Sequence, residues 1–355
     1  MALTRIANIA STIPDDSIAN VKMANIVQSK NILINGDMQV SQRGTSFTSN
    51  GYTLDRYTMD ESTDGAVTVT QDTDVPSGYG FAKSLKVDCT TADGTIGAAQ
   101  YCGFTQLIEG QNLQYLKYGT SSAQTLTLSF WVKSVKTGTY CVRFVKEAGS
   151  GTRYECPIEY TISSASTWEK KTITLTPTAG STSLITAANG AIVNSNASGF
   201  RVFFTLATGS NFHATNNTWV AGSDKLGTSN QVNFLDSTSN DFWITGIQLE
   251  AGDTASEFEF LPVEVNLARC QRYFFVTKSS QWLYAINSTN NNSRSEVVFK
   301  CSMRDTPTAG SVAFSNSGTG TGTQNANINH VTVYVNGIGA ADTSLNTGAT
   351  FASEL

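Results

Sequence analysis

The residues of this 355-residue chain with most chemistry to offer are two histidines, six cysteines and a few closely spaced carboxylates. His213 lies in an Asn-rich stretch and His330 opens an apolar/polar alternation. Neither accompanies a Ser or Cys in a G-x-S-x-G setting, which argues against a hydrolase triad. The run Gly318–Gly322 (GTGTG) lacks the lysine and following helix of a phosphate-binding loop and reads as a turn. Cys89, Cys102, Cys141, Cys156, Cys270 and Cys301 show no C-x-x-C spacing, so a zinc site has little support. They read as buried free thiols of a protein assembled in a reducing cytoplasm. Cys141 and Cys156, flanking a hairpin around Arg143–Glu155, are the one pair to consider for a disulfide.

The carboxylates need weighing, because glycoside hydrolysis uses two carboxyls about 5–10 Å apart. Candidates are Asp60/Glu61/Asp64, Asp72/Asp74 and Glu257/Glu259, the last sharing one face if extended. No β-helical repeat of the kind that builds long polymer-cutting appendages is present. The expectation is a non-enzyme: no catalytic residue, metal or cofactor is assigned.

Sugar binding without cleavage suits the composition better. Such sites stack an aromatic ring on the apolar face of a sugar and flank it with amides and carboxylates. Trp219 with Asn211, His213, Asn216 and Asn217 has that makeup, and so does Trp282 with Asn287 and the run 290–292. The competing reading is that both tryptophans cap a core. Trp131 and Trp243, set in apolar strands, read as core residues.

The elements that would position these groups are strands. Charged residues make up 14%, the net charge is −5, and Gly is frequent at 29 residues against 6 Pro, with Thr, Ser and Asn abundant. That balance gives no basic surface for nucleic acid and fits an all-β protein rich in turns. Alternation is nearly continuous from Asn31 to about Pro262, for example at 66–71, 84–89, 124–133, 140–145, 170–176, 200–206 and 242–249. Strands in this number without intervening helices predict a two-layer antiparallel jelly roll. Strand-like pieces are also expected at Ile32–Ile34 and Met38–Gln42, with a turn at Asn35-Gly36. A non-strand insertion is expected at Gln106–Leu116, and two long polar excursions occupy Thr178–Ala197 and Gly209–Val232. After Glu264–Gln271, a helix-like lead, further strands and a loop at Ser315–Asn327 predict a smaller C-terminal β-sandwich. The expected organisation is an extended N-terminal arm (1–30), a jelly-roll domain (31–263) and a C-terminal domain (264–355). The start, MALTRIANIAST, lacks a secretory apolar core, and no stretch reaches ~20 apolar residues. Neither secretory export nor membrane insertion is therefore expected.

Several motifs resemble those of one family. Asn31-x-Leu33-x-Asn35-Gly36, then Gln42-Arg43-Gly44 and Asp55-Arg56-Tyr57, look like the opening of a carbohydrate-binding-module-like β-sandwich that recurs in phage tail fibres and other virion appendages. Gly246-x-Gln248-Leu249-Glu250 with Glu257-Phe258-Glu259-Phe260 resembles its closing strand, and Cys270-Gln271-Arg272-Tyr273-Phe274 its junction to a last domain. The resemblance implies a virion protein assembled in the host cytoplasm, most simply a tail-fibre subunit that binds a host-surface glycan or receptor. The alternative is a capsid decoration or head-fibre protein. It further implies a homotrimer and an arm contacting other virion proteins of the tail or capsid through Ile6, Ile9, Ile13, Ile18 and Val21. Arg43 and Arg56 are expected to be structural, satisfying loop carbonyls or pairing Asp55.

Overall fold

Leu126, Leu128, Phe130 and Val132 alternate along one strand with Thr127, Ser129, Trp131 and Lys133, and only the first set enters the main core. A pleated strand can bury one of its two faces in a sandwich, and this choice repeats across the fold. The computed structural model describes residues 30–48, 50–149, 151–222, 224–277, 282–283, 292–310, 320–324, 326–336, 343–344 and 349–355. The arm residues Ile6, Ile9, Ile13, Ile18 and Val21, and also Asn287, lie outside the described residues.

The chain folds as an antiparallel jelly-roll sandwich. Its strands, in order, are β1 (Ser46–Phe47), β2 (Gly51–Tyr52), β3 (Thr58–Ser62), β4 (Ala66–Asp72), β5 (Ser84–Thr91), β6 (Tyr101–Glu109) and β7 (Leu126–Ser134). There follow β8 (Gly138–Lys146), β9 (Tyr154–Ile162), β10 (Glu169–Leu175), β11 (Ser198–Thr208), β12 (Val220–Ala221) and β13 (Asp241–Ala251). One sheet runs β1-β4-β5-β13-β7-β10 and the other β12-β9-β8-β11-β6-β3-β2. Between them lie Phe104, Phe130, Phe144, Phe200, Phe204 and Phe242, all nearly inaccessible to solvent. Each such ring contributes ~1.5–3 kcal/mol by leaving water. Gln106–Glu109 belong to β6, so the expected insertion begins later, as a 3-10 helix at Gly110–Leu116.

The opening stretch differs from its expected strands. Residues 31–42 are irregular, held by two asparagine side chains. The Asn31 amide donates to Ile247 O at 2.8 Å, and its Oδ1 accepts from Leu33 N and Leu249 N. Asn35, at φ 59°, donates to Val40 O and Asp55 O. The Asn31 side chain, with backbone bonds from Ile32 N to Leu249 O and from Ile247 N to Gly36 O, thus completes the edge of β13 beyond the point where β5 stops pairing with it. Gly36 is required there, because a Cβ would sit 2.0 Å from Ile247 O.

Arg43 and Arg56 do not pair Asp55, which instead accepts from the backbone and side chain of Gln42. Both guanidinia bind Glu354, Arg43 at 2.7 Å, while Arg56 also donates to Leu107 O and lies 3.5 Å over the Tyr273 ring. The opening motif is therefore a clamp on residues some 300 positions later in the chain.

The remaining described residues form the helix α1 (Val263–Gln271), matching the expected lead, and a smaller all-β unit. Here β14 (Phe274–Val276) and β17 (Thr308–Ala309) flank β21 (Thr350–Ala352), β15 (Trp282–Leu283) pairs with β20 (Thr343–Ser344), and β16 (Asn292–Val298) and β18 (Gly320–Gln324) flank β19 (His330–Asn336). β18 occupies part of the stretch expected to be a loop. A satellite core of Phe275, Phe299, Met303, Val331 and Phe351 lies within this unit.

Candidate functional site

The outer face of the six-stranded sheet carries a row of aromatic and charged side chains. Trp243 of β13 sits in register between Lys86 of β5 and Lys133 of β7. Lys133 Nζ lies 4.0 Å from the Trp243 ring centroid and 5.6 Å from that of Trp168, just before β10. Lys86 Nζ lies 5.3 Å from Trp243 on the other side. Two residues along β7, Trp131 faces Thr245, and Tyr79 from the β4–β5 connection lies against it, with ring centroids 4.2 Å apart. A bulge in β13 permits this crowding. At Gly246 (φ +63°) a Cβ would meet Phe81 at 2.6 Å and Trp131 at 3.2 Å.

Carboxylates complete the site. Asp74 accepts from the Trp168 indole at 2.9 Å and pairs with Lys133. Asp72 accepts from the Trp243 indole at 3.2 Å and from the backbone of Thr73 and Asp74. Burial works against the Asp72 anion, but these N–H donors and Lys86 outweigh it and hold its carboxyl below the usual carboxylate range. Across β5 and β13, Asp88 stands opposite Asp241. Burial, a shared hydrogen bond and the like charge raise the Asp88 carboxyl.

Accessibility separates support from contact. Trp243 is only 9% exposed, its faces taken by the two lysines, whereas Tyr79 is 53% exposed and Trp131 and Trp168 are half-buried. Accessible rings beside an ammonium and a fixed carboxylate can stack on an apolar ring face and bond its hydroxyls.

The sites expected from composition lie elsewhere. Trp219 is 1% exposed, inside the main core, with its indole donating to Thr176 O at 2.9 Å, so it has no face for a ligand. Its neighbours serve to fasten the second excursion. Asn211 O accepts from Lys225 Nζ, His213 Nε2 lies 3.2 Å from Thr208 O, Asn216 Oδ1 accepts from Glu159 N, and Asn217 N donates to Pro157 O. The excursion is pinned further by the fully buried Glu155, which bonds Arg143 and the backbone of Asp224 and Lys225. For Trp282, the structure describes only backbone pairing with Ser344.

Trp131 was the residue sequence reasoning misplaced, while Trp243 is buried as expected but outside the main core cluster. Both face away from the main core, opposite to Phe130 and Phe242. The available signal was the alternation itself: Thr127, Ser129 and Lys133 share Trp131's side, and Thr245 shares Trp243's. Cys141 and Cys156 are free and buried. Cys141 pairs in register with Glu159 and Cys156 with Phe144, and only Cys156 enters the main core, so the two thiols point to opposite faces.

Of the other carboxylates, Asp60 accepts from Tyr101 Oη, Glu61 from Thr63, and Glu259 from Asn31 N at 3.0 Å, while Glu257 is exposed and not on a strand. Among the described residues no group of three or more His, Cys, Asp or Glu is arranged to hold a metal ion, and no helix is long and apolar enough to cross a membrane.

No protein-family description and no curated protein matches the sequence. Solved structures with partial likeness include the enzymatically active domain of tailspike protein 4 of bacteriophage CBA120, at 16% identity over 63% of this chain and TM-score 0.34. The chain spans only 22% of that protein's chain. The family 11 carbohydrate-binding module of the cellulase Lic26A-Cel5E of Clostridium thermocellum is 12% identical over 59% of this chain and 96% of its own, at TM-score 0.29. A family 22 module of Xyn10B from Clostridium thermocellum is 14% identical over 61% of this chain and 98% of its own, also at 0.29. Likeness at this level carries no functional argument.

Proposed function

We propose that the chain is a virion appendage subunit, a tail-fibre protein in the simplest case, that binds a host-surface glycan on the outer face of its six-stranded sheet. The observation that supports binding is the accessible pair Tyr79–Trp131, with Trp168, Asp74 and Lys133 beside it. The virion setting rests on the motif resemblance of Asn31–Phe275. In this reading residues 1–30 attach the protein to tail or capsid partners through Ile6, Ile9, Ile13, Ile18 and Val21. Residues 31–263 form the glycan-binding domain, and 264–355 a terminal domain in which Trp282 and Asn287 offer a second contact. A homotrimer would multiply weak single-site affinity by avidity.

A glycan array probed with the purified chain tests binding. Tyr79→Ala with Trp131→Ala should abolish the signal on uncharged glycans, each change alone weakening it by roughly fivefold, the equivalent of the ~1 kcal/mol expected of a lost ring contact. Retained binding of uncharged glycans in the double variant would refute the assignment. Gold labelling of intact particles with an antibody to residues 264–355 tests the address. Label on tail fibres supports the proposal, and label scattered over the head replaces it with a capsid decoration.

A further inference from the structure

A cleft of about 690 Å³ opens where the opening stretch, the 3-10 helix and α1 meet. Its floor is apolar, from Ile32, Ile34 and Ile108. One wall is the exposed side of the 3-10 helix, which presents the amides of Gln111 and Asn112 and the 43% exposed ring of Tyr115. The other wall carries Arg269, in the last turn of α1, and Arg272, which caps that helix.

The two guanidinia that line this space each have a carboxylate partner outside the lining. The described lining holds two guanidinia and no carboxylate. Glu109, which bonds Arg272 Nε and Nη2 at 2.8 Å each, is fully buried behind that side chain, and Glu259 meets Arg269 from a neighbouring gap of about 10 Å³. Arg272 Nη1 donates to Ser302 O at 3.3 Å, so these contacts use three of its five N–H donors and lock its plane. A fixed guanidinium, an exposed aromatic ring, primary amides and an apolar floor form a donor set for one class of small molecule.

We propose that this cleft binds a carboxylate-bearing sugar unit. The carboxylate would meet the Arg269–Arg272 wall, the apolar ring face would lie on Tyr115, and the hydroxyls would bond Asn112 and Gln111 Oε1, the Gln111 Nε2 being engaged with Glu109. The site is separate from the outer-face platform and depends on none of its residues, so each stands or falls alone.

The test is calorimetric titration of the full-length chain with glucuronate oligosaccharides, N-acetylneuraminate and neutral gluco-oligosaccharides, at low and high salt. Tyr115 and Asn112 are exposed, so Tyr115→Ala and Asn112→Ala should leave the fold intact, as checked by circular dichroism. The expected result is saturable binding of at least one acidic sugar, about tenfold tighter than its neutral counterpart and weaker at high salt. Tyr115→Ala should reduce it about five- to tenfold, while Tyr79→Ala/Trp131→Ala leaves it unchanged. Preference for glucuronate would indicate recognition within an acidic polysaccharide, and preference for N-acetylneuraminate recognition of a terminal residue; either supports the proposal. Equal affinity for neutral sugars, insensitivity to Tyr115→Ala, loss only in the Tyr79/Trp131 variant, or no saturable binding would overturn it.

Discussion

Glu109→Gln should destabilise the protein by about 2–3 kcal/mol and do so in a pH-dependent way. The carboxylate has no solvent exposure and is held by Arg272 at 2.8 Å through two nitrogens, by Tyr273 Oη and by Gln111 Nε2. Breaking a wholly buried ion pair costs about 3–5 kcal/mol, and a surface pair is worth at most ~1 kcal/mol. Arg272 is 30% exposed, so solvent can recover part of its charge, which places this pair between the limits. Burial pushes the Glu109 carboxyl up, but Arg272 and Tyr273 outweigh it and set its pKa below the ordinary 4.5. The stabilisation is therefore complete above pH 4.5 and is lost as the pH falls through the depressed folded value. Urea denaturation at pH 7, 5, 4 and 3 reads the gap between the natural protein and the variant. It should be full at pH 7 and 5 and should close towards pH 3. A double-mutant cycle with Arg272→Met isolates the pair. A gap under about 0.5 kcal/mol, a gap independent of pH, or strict additivity in the cycle would refute the reasoning.

Trp219→Ala should cost about 3–5 kcal/mol by opening a cavity and orphaning Thr176 O, yet leave the glycan affinity of the folded protein unchanged. Loss of affinity without loss of stability would restore Trp219 as a contact. Gly36→Ala should destabilise by about 3 kcal/mol or more, since the colliding atom is backbone; an unaltered urea midpoint would show that 31–36 is not seated on β13. With a thiol reagent under native conditions, the half-exposed Cys301 should react first. Burial pushes the Cys141 thiol up to about 11 and that of Cys156 up to about 12, so both should react only on unfolding. Six thiols titrating in denaturant without reductant would confirm the absence of a disulfide, and four would refute it.

The strand pattern was legible because alternation is local. Leu126 to Lys133, Tyr140 to Val145 and Phe200 to Leu206 all lie in strands. The stretch 31–42 was misread because it is held by the Asn31 and Asn35 side chains and two backbone bonds to β13 rather than by a regular ladder, and bonds of that kind leave no periodicity. The platform was missed at Trp131 because the apolar bulk of a tryptophan was weighed above the alternation, in which Thr127, Ser129 and Lys133 share its side. Composition favoured Trp219, whose amide-rich surroundings fasten a loop.

Taken alone, the sequence determined the fold class, the low charge and the position of the opening and closing motifs, because each is set by neighbours in the chain. Tertiary structure decided what those residues meet. Glu354 became the partner of Arg43 and Arg56, β13 the seat of Asn31, and Tyr79 the neighbour of Trp131. Such contacts follow from sheet order and register, which bring together residues tens to hundreds of positions apart, and no local spacing encodes them.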